Sequence, residues 1–462
     1  MQKNDVITIK LTDMNNLGSG VGRADDGAVV FVSGGVAGDT VRAKIIKVGK
    51  KFYVARIEEI LVPSEMRGAE GFCAAPQSCG GCVYRNITRE SELLMKKSYL
   101  EGIFKKAGLP EVEILDVLAP SDREGYRNKA QYPVRATKNG VRAGFFASKT
   151  HSIVSAEHCA LEPMIFSRIV DEVCRFMDDN KISAYDEERG SGIVRHVYLR
   201  RGEITGEVML CLVINADSLP HSDKLVKMVN EKFPEVTSLL LNLNKKNTNV
   251  VTGEKYITLY GNPYIEDILC GLRFRISPES FWQVNRKGAE ALYGLAKEMA
   301  GLDGGQHLLD LYCGTGTIGL SMADKAKSVT GVEIVEGAVK CARLNAELNG
   351  IENAEFYCAD ASDTESIVPA DKKYDVVILD PPRKGTTEEL IKHIAKRGIE
   401  RVVYISCGPD TLARDMAIFK KYGYSFGSVH PVDMFPVTGH VESVVRLERR
   451  LDNELQPNGC VN

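Results

Sequence analysis

The alternation of apolar and polar residues changes character twice along the chain. Over residues 4–61 apolar positions recur in short runs, VITIKL, AVVFV, VRAKIIKV and FYVARIEEIL, separated by glycine turns such as NNLGSGVGRADDG and SGGVAGDT. Val29 and Phe31, then Val41, Ala43 and Ile45, recur at period two, which predicts a small β-barrel ending near Pro63. Residues 88–108 shift to helical spacing, with Leu93, Leu94, Leu100, Ile103 and Phe104 as the apolar positions. Thr88 suits the N-cap, Glu90 and Glu92 the first turn, and Gly108 the stop. Residues 112–275 mix strands and helices without a phosphate loop; the strands include YRNKAQYPVRA (126–136), VRHVYLRRG (194–202) and EVMLCLVIN (207–215). From about residue 276 the pattern becomes regular. Strands are predicted at 307–312, 328–334, 354–360, 374–380 and 401–407, a helix at 336–350 and a last strand at 440–450. Such alternation implies an α/β fold with a mostly parallel sheet covered on both faces.

Three domains follow: a barrel at 1–62, a central α/β domain at 63–275 and a regular α/β domain at 276–450, with 451–462 expected to be a disordered tail. Packing of the 88–108 helix on the last domain would make the middle one discontinuous. A chain of 462 residues with 44% hydrophobic and 26% charged residues is too long for one core. It contains no apolar run of about 18 residues to cross a membrane, and no apolar signal-peptide core follows the first lysine. A cytoplasmic monomer without membrane association is expected. The net charge of −3 hides an uneven spread, +6 over the first 150 residues and −9 over the rest. A basic N-terminal part suits a phosphate-bearing partner. Twelve cysteines without an export signal argue against a disulfide framework. Cys174, Cys211, Cys270, Cys341 and Cys358 stand singly and read as packing residues.

DLYCGTGTIGL (310–320) places Gly314, Gly316 and Gly319 in a G-x-G-x-x-G pattern between a strand and a helix. The glycines allow close backbone approach to a ligand, and the helix N-terminus offers free amides. The pattern serves dinucleotides and S-adenosylmethionine alike. Glu333, Asp360 and Asp380 end the next three strands, so all three face one crevice at the carboxyl edge of the sheet. Glu333 suits ribose hydroxyls and Asp360 an adenine amine. This series favours S-adenosylmethionine over a nicotinamide cofactor.

Cys407 ends the fifth strand of that sheet, in RVVYISCGPDTLARD, and faces the same crevice. The chemistry that joins a thiolate to a methyl donor is pyrimidine C5 methylation. A thiolate adding to C6 makes C5 nucleophilic, and a base then removes the C5 proton. Glu442, in the otherwise apolar GHVESVVRL, is the candidate base. No cation near Cys407 is identifiable in the sequence.

DPPR (380–383), ISCGPDTLARD (405–415), GHVESVV (439–445) and FWQVN (281–285) together resemble the RNA 5-methyluridine methyltransferase family. The resemblance implies Cys407 as nucleophile and Glu442 as proton-abstracting base. It implies Gln283, Tyr312, Glu333 and Asp380 as contacts to S-adenosylmethionine, with Asp360 beside them, on a class I, Rossmann-like methyltransferase domain. GSGVGRADDGAVVFVSGGVAGDTVRAKI is similar to the TRAM domain, an OB-like barrel that binds RNA; its KVGKK turn (47–51) supplies positive charge. Cys73-x5-Cys79-Gly-Gly-Cys82 brings three thiols together, and three clustered cysteines with a distant fourth suit an iron–sulfur cluster better than zinc. In the ribosomal-RNA branch of the family such spacing holds a [4Fe-4S] cluster whose fourth ligand lies in a His-Cys-x-Leu context, here Cys159 in His158-Cys159-Ala160-Leu161. Barrel and cluster together lean to 23S ribosomal RNA as the substrate, with transfer RNA as the alternative. A nicotinamide-dependent oxidoreductase carrying an RNA-binding module is the competing class. Arg127 and Lys129 beside Tyr126 and Tyr132, and Arg195, His196, Arg200 and Arg201, are the basic and aromatic positions expected to meet RNA.

Overall fold

The computed structural model describes residues 1–450 except 69–72, 76–77, 148–152, 155–157, 248–249 and 364–371. The tail at 451–462 lies outside the described residues. Strands β1 (Val6–Met14), β2 (Ser19–Arg23), β3 (Val29–Ser33), β4 (Thr40–Val48) and β5 (Phe52–Val62) close into a barrel in the order β1-β2-β3-β5-β4. Its interior holds Leu11, Val30, Val32, Val41, Ala43 and Ile45, so β4 buries the expected positions, whereas β3 lies one residue out of the expected phase and leaves Val29 and Phe31 half-buried. Helix α1 (Arg89–Lys106) follows a loop that carries the first three clustered cysteines.

The central part contains β6 (Lys129–Thr137), β7 (Gly140–Ala143), a short hairpin of β8 (Phe145–Phe146) and β9 (Ile153–Val154), α2 (Met164–Asp179), β10 (Val194–Arg201), β11 (Val208–Ile214), α3 (Ser222–Lys232), β12 (Val236–Leu243) and β13 (Lys255–Gly261). Its sheet runs β13-β12-β11-β10-β6-β7. Helices α2 and α3 cover one face, and Tyr198, Met209, Cys211 and Leu240 on the other face join the core of the last domain. The hairpin β14 (Ile265–Leu269) and β15 (Leu272–Ile276) belongs to that same core.

The last part comprises α4 (Arg286–Ala300), β16 (His307–Leu311), α5 (Thr317–Met322), β17 (Ser328–Glu333), α6 (Glu336–Leu348), β18 (Ala354–Cys358), β19 (Val376–Leu379), α7 (Glu388–Lys396), β20 (Arg401–Ser406), α8 (Pro409–Lys421), β21 (Tyr424–Phe426), β22 (His430–Val432) and β23 (Glu442–Arg449). The sheet order is β18-β17-β16-β19-β20-β23-β21, with β22 also on β23. The first five strands are parallel and β23 is antiparallel. The order reverses between β16 and β19, which opens a crevice at their carboxyl ends. Helices α4, α5 and α6 share one core, whereas α1, α7 and α8 share the core on the opposite face. Helix α1 thus packs with the last domain, lying against α8, with Leu100 and Phe104 in the same core as Leu309 and Tyr404.

Candidate active site

Tyr312 leaves β16 in the left-handed region, at φ +66°, a position that costs a non-glycine residue about 1–3 kcal/mol. Gly314 and Gly316 follow at φ +54° and +80°, where glycine is free of that penalty. Gly319 answers a different need. Its amide donates to Asp310 Oδ2 at 2.9 Å, and a Cβ there would lie 2.8 Å from the same oxygen. Asp310 is wholly buried, and burial pushes its carboxyl up to about 8.

Around this loop the structure gathers most of the residues expected to meet the methyl donor. Glu333 accepts from the Gly314 amide at 3.1 Å and from the Val335 amide at 2.9 Å. The Tyr312 hydroxyl pairs with Thr386 Oγ1 at 3.2 Å. Asp380 is recessed at the end of β19 without being sealed from solvent, and burial raises its carboxyl to about 7. The Gln283 side chain lies beside the hydroxyl of buried Tyr293, which meets Thr317 Oγ1 at 3.3 Å and feels the charge of Asp380. Asp360 stands apart at the rim, exposed and bonded to Ser362 through its amide (2.8 Å) and hydroxyl (2.5 Å), which hold its pKa below the usual carboxylate value. Sequence reasoning missed Asp310 and Tyr293. Asp310 was findable, because it is a carboxylate inside the apolar run HLLDLY, the same signal that singled out Glu442.

Strand register brings the two proposed reacting groups together. Ser406 pairs with Ser443 across β20 and β23, so Cys407 and Glu442 are the next opposed positions. The turn after the strand is held by Ser406 Oγ, which accepts from the Gly408 amide at 3.1 Å. Pro409 then occupies the first turn of α8, where its missing amide proton costs nothing. Cys407 is half-buried; burial, then the charges of Glu442 and Asp380, push its thiol up to about 11, and Arg383 opposes this. Burial and Asp380 likewise raise Glu442 to about 8 against Arg383. Arg383 is therefore the cation of this site. It lies in the DPPR motif, yet its relation to Cys407 depends on a loop path that spacing does not reveal.

The segment joining β22 to β23 leads into Glu442 and is clamped by buried charges. Lys96 donates to Glu92 Oε1 at 2.8 Å, to Asp433 Oδ1 at 2.6 Å and to the Phe435 carbonyl at 3.1 Å. Arg89 also pairs with Asp433, and the Val437 amide donates to Glu92 at 2.6 Å. Tyr126 and Asn285 tie down the carbonyls of Pro436 and Met434, at 3.1 and 3.0 Å.

Cys73, Cys79, Cys82 and Cys159 line a single cavity of about 650 Å³ together with Arg85, Arg127 and Lys129. Burial and then the neighbouring Cys79 and Cys73 push the Cys82 thiol up to about 12, and burial pushes Cys159 upward too. Among the described residues no group of three or more Cys, His, Asp or Glu is gathered closely enough to hold a metal ion as the side chains stand. The basic strand expected to meet RNA turns out differently. β10 is central in its sheet, so Arg195, His196 and Arg200 are buried. Arg195 donates to the carbonyls of Asn244 and Lys246, Arg200 to those of Ser277 and Ser280, and burial lowers His196 to about 4. Arg195 thus anchors the segment after β12, and Arg200 the segment after β15, to the central sheet. Tyr126 and Tyr132 are buried as well. Of the exception among the single cysteines, Cys358 is exposed at the end of β18 rather than packed.

A glycine loop at the switch point of this strand order, ringed by strand-end carboxylates, defines a class I methyltransferase. Residues 250–450 match the family model described as tRNA (Uracil-5-)-methyltransferase, and residues 2–57 match the TRAM domain. The chain is 39% identical over 454 residues to an "Uncharacterized RNA methyltransferase" of Bacillus cereus, covering 97% of this chain and 98% of that one. A relative of the same description from Clostridium acetobutylicum is 38% identical with the same coverage. Among solved structures, tRNA (uracil-54, C5)-methyltransferase of Pyrococcus abyssi, in complex with S-adenosyl-L-homocysteine, superposes with a TM-score of 0.78. It is 27% identical, over 96% of this chain and all of that one. The chain belongs to the TRAM-containing RNA (uracil-5-)-methyltransferase family, and its activity is S-adenosylmethionine-dependent methylation of uracil C5 in RNA.

Proposed function

We propose that the protein methylates C5 of a uridine in 23S ribosomal RNA through a covalent bond between Cys407 and uracil C6. The observation that carries the mechanism is the register placing Cys407 opposite Glu442, with Asp380 and Arg383 in the same electrostatic neighbourhood. S-adenosylmethionine supplies an electrophilic methyl group. The Cys407 thiol loses its proton to solvent and adds to C6, so that C5 becomes the nucleophile that takes the methyl group, the sulfonium S–CH3 bond breaking to release S-adenosylhomocysteine. Glu442 then removes the C5 proton, the C5–C6 double bond reforms and the thiol departs. Arg383 favours both the thiolate and the carboxylate. Asp380, Gln283, Tyr312, the glycine loop and Glu333 form the methyl donor's side of the crevice, with Asp360 at its rim.

The preference for ribosomal RNA rests on the four cysteines that share one cavity. We read them as ligands of a [4Fe-4S] cluster. Buried thiols are poor ligands until a metal replaces their protons, and Arg85, Arg127 and Lys129 on the cavity wall suit the negative charge of a four-thiolate cluster. The second reading, transfer RNA, is favoured by the likeness to the P. abyssi enzyme along nearly the whole chain.

Mass spectrometry of nucleosides from a deletion strain separates the two. Loss of 5-methyluridine from 23S RNA is expected, and loss from transfer RNA alone overturns the substrate. 5-Fluorouridine RNA, which has no C5 proton to remove, should trap a covalent adduct with the wild type and none with Cys407→Ala. An adduct on that variant overturns the mechanism.

A further inference from the structure

The barrel does not hang from the catalytic domain as a tether. Its β1–β2 turn is seated on the segment that leads into Glu442, so closely that a Cβ on Gly439 would lie 1.8 Å from the Asn16 carbonyl oxygen. Asn16 lines a cavity of about 200 Å³ with Cys407, Arg383, Tyr99 and His440. One wall of the nucleophile's pocket therefore comes from the N-terminal domain.

The turn is stiff. Asn15 Oδ1 accepts from the amides of Leu17 (3.1 Å) and Ser19 (2.9 Å), and the Gly18 amide donates back to the Asn15 carbonyl at 3.1 Å. The Tyr84 hydroxyl adds a bond to the Asn15 carbonyl from outside the barrel. On this rigid support stands Leu17, 74% exposed and the most exposed large apolar side chain among the described residues. Single exposed leucines are ordinary; its place is not. The β2–β3 turn carries Asp25, Asp26 and Gly27, the β4–β5 turn Gly49, Lys50 and Lys51, and the β3–β4 turn keeps its Val36 and Ala37 buried. Leu17 is the most exposed large apolar side chain among the described residues of the barrel, and it stands at the turn beside the nucleophile.

A uridine reaches Cys407 only by leaving its stack, which costs a few kcal/mol. Proteins that open a stack insert apolar side chains such as leucine into the gap. We propose that Leu17 is the wedge that takes the place of the extruded uridine, with Asn16 walling the pocket the base enters. The assignment rests on the family's activity on RNA uracil. The Lys50–Lys51 turn lies at the other end of the barrel, because β1 pairs antiparallel with β4. An RNA held there and at Leu17 runs the length of the barrel.

The test uses the full-length protein and folded RNA from the deletion strain. Leu17→Ser should lower kcat/KM about tenfold, the scale of one lost stacking contact, with an unchanged melting temperature. Leu17→Phe, which can still stack, should stay within about twofold of wild type. If Leu17→Ser methylates folded RNA as well as wild type, or if Leu17→Phe falls with it, the wedge is wrong. Failure of the wild type itself to methylate any RNA would instead strike the family activity on which the inference rests.

Discussion

Glu442 is a carboxylate kept where its charge is unfavourable, and this has a consequence for pH. Its folded pKa is raised to about 8, whereas an unfolded glutamate titrates near 4.3. Between those values the folded chain holds a proton that the unfolded chain has released, so folding loses stability as pH rises through this window. Glu442→Gln removes the titration while keeping the shape. The variant's advantage in melting temperature is expected to be small at pH 5 and to grow steadily to pH 8. A gap that stays constant with pH would show that Glu442 is not held protonated. In the proposed mechanism the same proton must leave before Glu442 can act as a base, so methyl transfer by the wild type should speed up over the upper part of this range. Asp380, raised to about 7, titrates just below it.

Helix α1 shows what apolar periodicity reads well and where it fails. Its extent and its Thr88 cap were legible, and the Thr88 side chain accepts from the Ser91 amide. Its buried face was legible only in part: Leu100 and Phe104 are buried as their spacing predicts, but the first half of the helix departs from the pattern. Leu94, counted as an apolar-face position, is 55% exposed, whereas Glu92 and Lys96 are 0% and 1% exposed. The reason is the ionic clamp: a helix that buries a lysine between two carboxylates carries no apolar stripe along that part of its face. The misreading of β10 has the same origin, since buried arginines bonded to carbonyls look in sequence like a basic surface. By contrast, the parallel sheet, the glycine loop and the strand-end residues were legible, because strand ends point to one edge whatever the loops do. Lys96→Met should destabilise the fold by about 3–5 kcal/mol, the cost of stranding Glu92 and Asp433 without their cation. Leu94→Ala should change stability by about 0.5 kcal/mol or less. Denaturant titration of both variants decides which face of α1 carries the load.

At the scale of the molecule, the cysteine cavity stands where separate parts of the chain converge. Cys82 and Cys159 pack against Tyr126, Leu161 and Val437, so the loop after the barrel, the central domain and the segment leading to Glu442 meet in one small core. The Tyr84 amide donates to the Val437 carbonyl at 3.0 Å across the same seam. Such a core is too small to hold three parts together by apolar burial alone. A group bonded to thiols on both loops would close a long stretch of chain, which stabilises by removing freedom from the unfolded state. The proposed cluster is therefore expected to act as a staple, with catalysis affected through it rather than by it. Anaerobically purified wild type should contain four irons and four sulfides per chain, the stoichiometry of the proposed cluster. Cys159→Ser should lose most of that iron and melt at a lower temperature. With saturating RNA at a temperature where the variant is still folded, the rate of 5-fluorouridine adduct formation should remain near wild type. Adduct formation that collapses in a folded, RNA-saturated variant would mean that the cavity acts on Cys407 directly. Wild-type protein without iron would leave the four thiols as packing residues and withdraw the argument that favours ribosomal over transfer RNA.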